Sequence, residues 1–422
     1  MTLTIPIWLV ILVGLTIVAL ILIVWSLKRR RRPRLELETS ELETLQLSIA
    51  GLTEGTLVEG NRLELLQNGA VWEPLFRDLE SAAKTINFET FLCKRGQLTR
   101  RMTETLCRKA KEGVQVRVLV DANGSRRYGR EDMKRLREAG VRVARYHPIR
   151  ITNLGMWNNR DHRKITVVDG CIGYVGGHCL VDSWLGDAED RDHFRDISVR
   201  VEGPVVAQLQ SAFAENWIEE TGEVPGGTTF FPEIERAGDA GAHAVWISSS
   251  GSPSSVKILH YMLIHAAQRR ITIQNPYFLP DPDARRALVD AVRRGVDVRV
   301  MIPATQVSDF PIVQHASHHH YGTLLKGGVK LFDYQRTLLH QKVIVIDGRW
   351  SAIGSTNFDD RSFELNDEIS LVVYDEAFAG ELERTFERDL EDSRAVDLEQ
   401  WKHRPFLHKL KDFSAYTLKE QL

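Results

Sequence analysis

Apolar and polar residues alternate along this chain in short runs, and most runs are followed by a stretch in which apolar positions recur every three to four residues. Alternation marks a half-buried strand, and the longer period marks a helix laid against it. The first half then offers helices over 71–83, 99–111, 131–138 and 205–220, and strands over 85–92, 114–120, 141–146 and 196–201. Gly113 and Gly140 close two of these helices, where a left-handed cap favours glycine. The second half repeats the order, with strands over 244–249, 271–274, 296–302, 329–334 and 369–374 and helices over 254–268, 284–294, 312–325 and 377–391. Strands alternating with helices imply an α/β fold in two layered halves. The expected division is 61–221 for the first half, a Gly-, Pro- and Thr-rich joint over 222–241, 242–395 for the second half, and a tail over 396–422 that reads as a helical extension with a place beside a membrane left open.

The pattern changes character at the N-terminus. Residues 1–27 carry no charged side chain, and 5–25 are almost wholly apolar, enough to cross a bilayer. Lys28-Arg29-Arg30-Arg31-Arg32-Pro33-Arg34 follows at once. A cleavable signal peptide would want positive charge before the apolar run and a small-residue cleavage site after it. Neither is there, so the expectation is a single transmembrane helix over 1–27 and a basic juxtamembrane segment and linker over 28–60. The positive-inside bias puts everything after Lys28 on the cytoplasmic side of a cell membrane, and the basic run suits anionic lipid headgroups.

The formal net charge of the 422 residues is −2. Without the six basic residues of 28–34, 49 Lys+Arg stand against 57 Asp+Glu, a balance of −8. That argues against a nucleic-acid partner, which calls for a basic footprint. Cys93, Cys107, Cys171 and Cys179 lack metal-type spacing and read as reduced thiols.

Two stretches carry the chemistry. His162-Arg163-Lys164 is followed by Asp169-Gly170, and His340-Gln341-Lys342 by Asp347-Gly348, each with Asp seven residues after His. One His-x-Lys is ordinary surface polarity; a duplicate with matched downstream residues is a specific signal. On an extended segment, His and Lys two apart face the same way, so an imidazole and an ammonium converge on one phosphate. The sequences after the motifs also correspond: Gly354-Ser355-Thr356-Asn357-Phe358-Asp359-Asp360-Arg361-Ser362-Phe363-Glu364-Leu365-Asn366-Asp367-Glu368 in the second half, and Phe194-Arg195-Asp196, Arg200-Val201-Glu202-Gly203-Pro204 and Asn216-Trp217 in the first.

Over 61–404 these residues, together with Asn275-Pro276-Tyr277-Phe278-Leu279-Pro280, resemble the phospholipase D superfamily and, within it, the bacterial cardiolipin synthases. The resemblance implies two pseudo-symmetric α/β/α halves packed around one shared active site. It implies transfer of a phosphatidyl group between two phosphatidylglycerol molecules, giving cardiolipin and glycerol through a covalent phosphatidyl-histidine. His162 is then the nucleophile and His340 the general acid, by analogy alone, since pseudo-symmetric sites permit either order. Lys164 and Lys342 neutralise charge on the phosphoryl oxygens, so the scheme calls for no metal or cofactor. Asp196 and Glu368 are candidates to hold the far ring nitrogens of the histidines. Ser355 and Asn357 are candidate donors to the phosphate, while Asp169 and Asp347 read as structural members of the motifs. Two features depart from the family pattern: Cys179 stands where the second half has Asn357, and one apolar span replaces two.

Three rivals stay open: hydrolysis to phosphatidic acid by the same site, a membrane-tethered nuclease or phosphodiesterase, and an inactive scaffold. His315, His318, His319 and His320 have helical spacing, but no Cys or carboxylate near them in sequence completes a metal set. Phe213 and Trp217 read as core.

Overall fold

The computed structural model describes residues 6–27, 42–148, 158–247 and 254–417. The basic run 28–34, the end of the strand expected over 244–249 and the last residues of the tail lie outside them. The chain separates into two units, 1–36 and 37–422. In the first, α1 (Ile7–Leu27) is one uninterrupted helix of 21 residues, exposed on every side from Ile7 to Leu20. Among the described residues no helix is long and apolar enough to cross a membrane. The expected transmembrane anchor is therefore not met among the described residues.

The second unit begins with α2 (Leu42–Leu52), in a stretch expected to be linker. The first half then runs β1 (Val58–Gln67), α3 (Trp72–Ser81), β2 (Thr85–Thr90), α4 (Gln97–Lys111), β3 (Gln115–Asp121), α5 (Arg130–Glu138), β4 (Arg142–Tyr146), β5 (Ile165–Val168), β6 (Ile172–Gly176), β7 (Ile197–Glu202) and α6 (Val206–Thr221). The second runs β8 (Ala240–Ile247), α7 (Ser255–Ala266), β9 (Arg270–Gln274), α8 (Pro282–Arg293), β10 (Asp297–Pro303), α9 (Pro311–Lys326), β11 (Lys330–Tyr334), β12 (Val343–Ile346), β13 (Trp350–Gly354), α10 (Asp360–Glu364), β14 (Glu368–Tyr374) and α11 (Glu376–Glu391). A short β15 (Ser393–Ala395), α12 (Leu398–Lys402) and α13 (Phe406–Thr417) complete the chain.

These strands form one sheet, in the order β15-β11-β10-β9-β12-β13-β14-β8-β1-β7-β6-β5-β2-β3-β4. Outward from the central β8–β1 pair, β14-β13-β12-β9-β10-β11 matches β7-β6-β5-β2-β3-β4 place for place, so the halves are structural repeats. β1, which the periodicity does not announce, closes the seam: it pairs antiparallel with β7 on one side and with β8 on the other, where Val58 faces Ala242. Its charges at Glu59, Arg62 and Glu64 obscure the alternation. The parallel β2–β3–β4 and β9–β10–β11 runs need crossovers, which α4 and α5, and α8 and α9, supply. One apolar cluster spans the seam: Ile165, Val199 and Leu209 of the first half pack with Val343, Leu371 and Leu382 of the second. That shared core brings the two motif strands, β5 and β12, together.

Candidate active site

Each motif begins and ends on a fixed point. Asp169 and Asp347 directly follow β5 and β12 in the left-handed region, at φ +52 and +56. The Asp169 carboxylate accepts the backbone N–H groups of Ala83 (2.8 Å), Lys84 (2.7 Å) and Thr85 (2.8 Å). Asp347 does the same for Gln268 (2.9 Å), Arg269 (2.7 Å) and Arg270 (2.8 Å). Both aspartates pin the entry to the next strand, β2 or β9, at the end of β5 or β12 away from the histidines.

At the other end, the expectation of a ladder strand under each His-x-Lys pair is corrected. The ladders begin at Ile165 and Val343; the histidines and lysines lie just before them, extended and hydrogen-bonded to the opposite half. His162 N donates to Asp367 O at 2.9 Å, and Asp367 N to Arg160 O at 2.8 Å. His340 N donates to Arg195 O at 2.7 Å, and Arg195 N to Leu338 O at 2.9 Å. The residues that follow, Glu368 and Asp196, are thereby turned onto the other half's histidine. Nδ1 of His162 lies 2.9 Å from Glu368 Oε1, and Nδ1 of His340 lies 2.8 Å from Asp196 Oδ2. The residues between His and Lys lock this crossing. Arg163 donates to Ala212 O, Glu215 and Ile247 O, while Gln341 donates to Asp389, which also holds Arg195.

All four motif side chains and both acids are buried, and their charges interact. Burial, with Lys164, Lys342 and His340, pushes His162 well below the ordinary imidazole range. The crossed His–carboxylate contacts and the backbone bonds beside them bring both motifs into one site. Burial and Lys342 also lower His340, against the pull of Asp196. Lys342 is brought down to about 7 by burial and by Lys164, although Asp196 opposes the shift. The two acids diverge. Burial raises Glu368 to about 7 despite Lys164 and three hydrogen-bond donors. Burial also works against ionisation of Asp196, but His340, His178 and Lys342 outweigh it and hold that carboxyl below its usual range. The fold is pseudo-symmetric and the electrostatics are not.

The remaining candidates fall as follows. Ser355, expected on the phosphate, donates to Glu368 Oε2 at 2.5 Å and accepts from Ile369 N, so it braces the acid. Asn366 adds a 3.3 Å contact to Glu368. In the first half the brace is Trp184, whose Nε1–H donates to Asp196 at 2.7 Å and whose ring meets that of His340 edge-on at 5.1 Å. Phe91 stands in the same relation to His162, at 5.0 Å. Sequence reasoning missed both aromatics, since neither lies in a motif. Asn357 is buried with Oδ1 unpaired. Its counterpart Cys179 is buried in the apolar cluster of the first half. Phe213 and Trp217 are core, stacked at 5.8 Å.

The histidines of α9 need a correction. A carboxylate does join them, from far along the chain: Asp412 lies 2.9 Å from Nδ1 of His315 and 3.5 Å from Nδ1 of His318. The ligand atoms of this trio lie within 4.8 Å of one another. Arg404 occupies the other Asp412 oxygen at 3.2 Å, as an ion pair does.

A family model described as "Cardiolipin synthase, PLD-like domain" matches residues 75–217 and 261–390. Cardiolipin synthase A of Pseudomonas putida is 36% identical over 366 residues, covering 85% of this chain and 74% of that protein. Cardiolipin synthase 1 of Staphylococcus epidermidis is 34% identical over 363 residues, covering 84% and 73%. Among solved structures, phosphatidylserine synthase of Haemophilus influenzae superposes with a TM-score of 0.70 at 12% identity, covering 92% of this chain and 99% of that one. That last likeness concerns the fold alone.

Proposed function

The chain belongs to the phospholipase D-like cardiolipin synthase family, and from that premise we propose that it is a phosphatidyltransferase that joins two phosphatidylglycerol molecules into cardiolipin and glycerol. The observation that carries the reading is the crossed pair of His–carboxylate contacts around two buried lysines. Phosphoryl transfer through a covalent intermediate needs a neutral nucleophile, an acid, and cations on the non-bridging oxygens. The site offers a candidate for each: His162 as nucleophile, His340 as acid, and Lys164 with Lys342 as the cations.

His162 is the nucleophile. Its Nδ1–H is held by Glu368, which leaves the Nε2 lone pair to attack phosphorus. As the N–P bond forms, the P–O bond to glycerol breaks, and the departing oxygen takes a proton from His340. Ionised Asp196 stabilises the imidazolium that supplies it. Binding an anionic phosphodiester between Lys164 and Lys342 offsets their repulsion and raises the proton affinity of His340 as substrate arrives. In the second half-reaction, the hydroxyl of another phosphatidylglycerol gives its proton to His340, attacks phosphorus and breaks the P–N bond. The Asn357 amide donates to the same phosphoryl oxygens. One phosphodiester replaces another, so no nucleotide is consumed.

The substrates and product are bilayer lipids, and the uncharged N-terminal segment with the basic run behind it is the part of the chain suited to hold the enzyme at that surface. By the positive-inside bias, the basic run 28–34 supports a cytoplasmic position for the catalytic unit.

The test is turnover of phosphatidylglycerol in mixed micelles by the full chain, with lipids read by mass spectrometry. Cardiolipin and free glycerol, both lost in His162→Ala and His340→Ala, are expected. Phosphatidic acid as the main product would move the protein to the hydrolases, and no turnover of any phospholipid would remove the lipid reading.

A further inference from the structure

α13 is docked on α9 through one face only. Asp412 and Ala415 are the buried residues of α13. Asp412 is held by His315 and Arg404, and Ala415 joins Leu279, Val313 and Ala316 in a small apolar cluster. At about 100° per residue the opposite face carries Phe406, Leu407, Leu410 and Phe413, with 75, 67, 49 and 56% of their surface exposed. Lys409 and Lys411, also exposed, fall on the two flanks of this apolar stripe. Among the described residues of 37–422, no other element exposes more than two large apolar side chains.

The fold fixes where the stripe points. Tyr416 on α13, with His320, Leu279 and Asp359, lines a cleft. Asp359 belongs to the loop that carries Asn357, and Leu279 N donates to Phe358 O at 2.9 Å in that loop. α13 therefore stands beside the loop that carries Asn357. An apolar helix face of this size, left bare next to a catalytic site, is costly in water. A protein partner of acidic character would meet the lysines but not the four apolar side chains between them; a lipid interface meets both, with acyl chains under the stripe and phosphates at its edges. The acidic balance of the soluble part makes such local cations necessary for approach to an anionic surface.

We infer that α13 lies in the plane of an anionic bilayer surface, with Phe406, Leu407, Leu410 and Phe413 inserted among the acyl chains and Lys409 and Lys411 at the phosphates. The docking sets the mouth of the site at headgroup level. That consequence rests on the lipid-transfer reading; the docking itself does not.

The test uses the full chain with Cys171→Ser, since Cys171 is the exposed cysteine and Cys93, Cys107 and Cys179 are buried. Leu410→Cys then carries an environment-sensitive fluorophore. On phosphatidylglycerol-containing vesicles the emission is expected to shift to the blue and to be quenched by spin-labelled lipid, and to do so less on phosphatidylcholine alone. The same label at Glu80→Cys, an exposed position of α3, reports water throughout. A probe at 410 that stays aqueous on vesicles overturns the inference. So does a probe that becomes apolar without vesicles, which would assign the stripe to a second copy of the chain. The double variant Phe406→Ser, Phe413→Ser is expected to lose roughly fivefold or more of its rate on vesicles while keeping its rate on monomeric short-chain phosphatidylglycerol. Equal rates on both would also count against the docking. If no form of the protein turns over phosphatidylglycerol, the functional reading fails and the fluorescence still decides the docking.

Discussion

Glu368, on the second half, holds Nδ1 of His162, on the first, at 2.9 Å. Asp196 returns the relation to His340 at 2.8 Å, so neither half contains a complete catalytic pair. Glu368→Gln is expected to lower kcat by about 10³-fold or more with little change in KM, because an amide no longer fixes the tautomer that frees Nε2. Asp196→Asn is expected to fail differently. With a phosphatidyl donor whose leaving group is p-nitrophenol, no acid is needed, so Asp196→Asn and His340→Ala should still release a burst of one p-nitrophenol per site. Glu368→Gln should slow that burst and His162→Ala abolish it. A burst from His162→Ala and none from His340→Ala would reverse the order of the histidines.

The same contact sets the acidic limb of the pH profile. Burial raises Glu368 to about 7. Below that pH it becomes a carboxylic acid, which donates to Nδ1 instead of accepting from it and moves the hydrogen to Nε2, where it blocks attack. Since kcat/KM reports the free enzyme, it should fall about tenfold per pH unit below 7. A profile flat down to pH 5 would exclude Glu368 from this role.

Asp169 and Asp347 belong to the motif by sequence and to the scaffold by position. Each carboxylate takes three backbone N–H groups from the segment entering the next strand, at a positive φ that Asn tolerates and Ala does not. Asp347→Ala should cost about 2–3 kcal/mol, seen as a lower midpoint of unfolding, while turnover per folded molecule is kept. Asp347→Asn should lose less. A variant with full stability and no turnover would return Asp347 to the chemistry.

The alternation and the helical periods were enough to place most strands and helices, because most helices lay an apolar stripe on the sheet and keep a polar face outward. β1 and β15 escaped that reading. β1 carries charge at its solvent-facing positions, as in the partly exposed Arg62–Glu202 pair, which breaks the apolar alternation. The motif residues were legible as a site because their spacing is local. The crossing was not, since Arg195 and Asp367 meet the opposite half through backbone contacts that leave no mark in residue type. Ser355 was misplaced for a related reason: a hydroxyl near a phosphate site reads as a phosphate donor until the buried acid it braces is seen. Trp184 carries no signal until the chain folds Asp196 against it.

Cys179 marks where the halves differ. It lies in an apolar cluster with Leu180, Val181 and Trp184, and burial raises its thiol above the ordinary range despite Lys164. A thiol that does not ionise does not alkylate readily. Iodoacetamide should label Cys171 and spare Cys179 in the folded chain, and Cys179→Ala should keep most of the activity. Cys179→Asn would bury an amide among apolar side chains at a cost of about 1–3 kcal/mol. Loss of activity on selective alkylation of Cys179 would contradict this reading.

Lys342 is where function and stability oppose each other. It is buried beside Lys164, and its pKa falls from 10.5 to about 7. The folded state therefore binds its proton more weakly than the unfolded chain does. The penalty is fully present below pH 7, of order a few kcal/mol, and fades as pH rises through 10.5, above which both states are neutral. Lys342→Met should abolish transfer and yet raise the unfolding midpoint, most at or below pH 7 and least near pH 10. In the active enzyme the same titration gives an alkaline limb to kcat/KM, because an empty site above pH 7 has lost one of its two cations. Lys342→Arg, which stays charged, should flatten that limb even where it lowers the maximum. A midpoint that falls in Lys342→Met at every pH would show that the ammonium stabilises the fold, and the charge argument for this site would have to be abandoned.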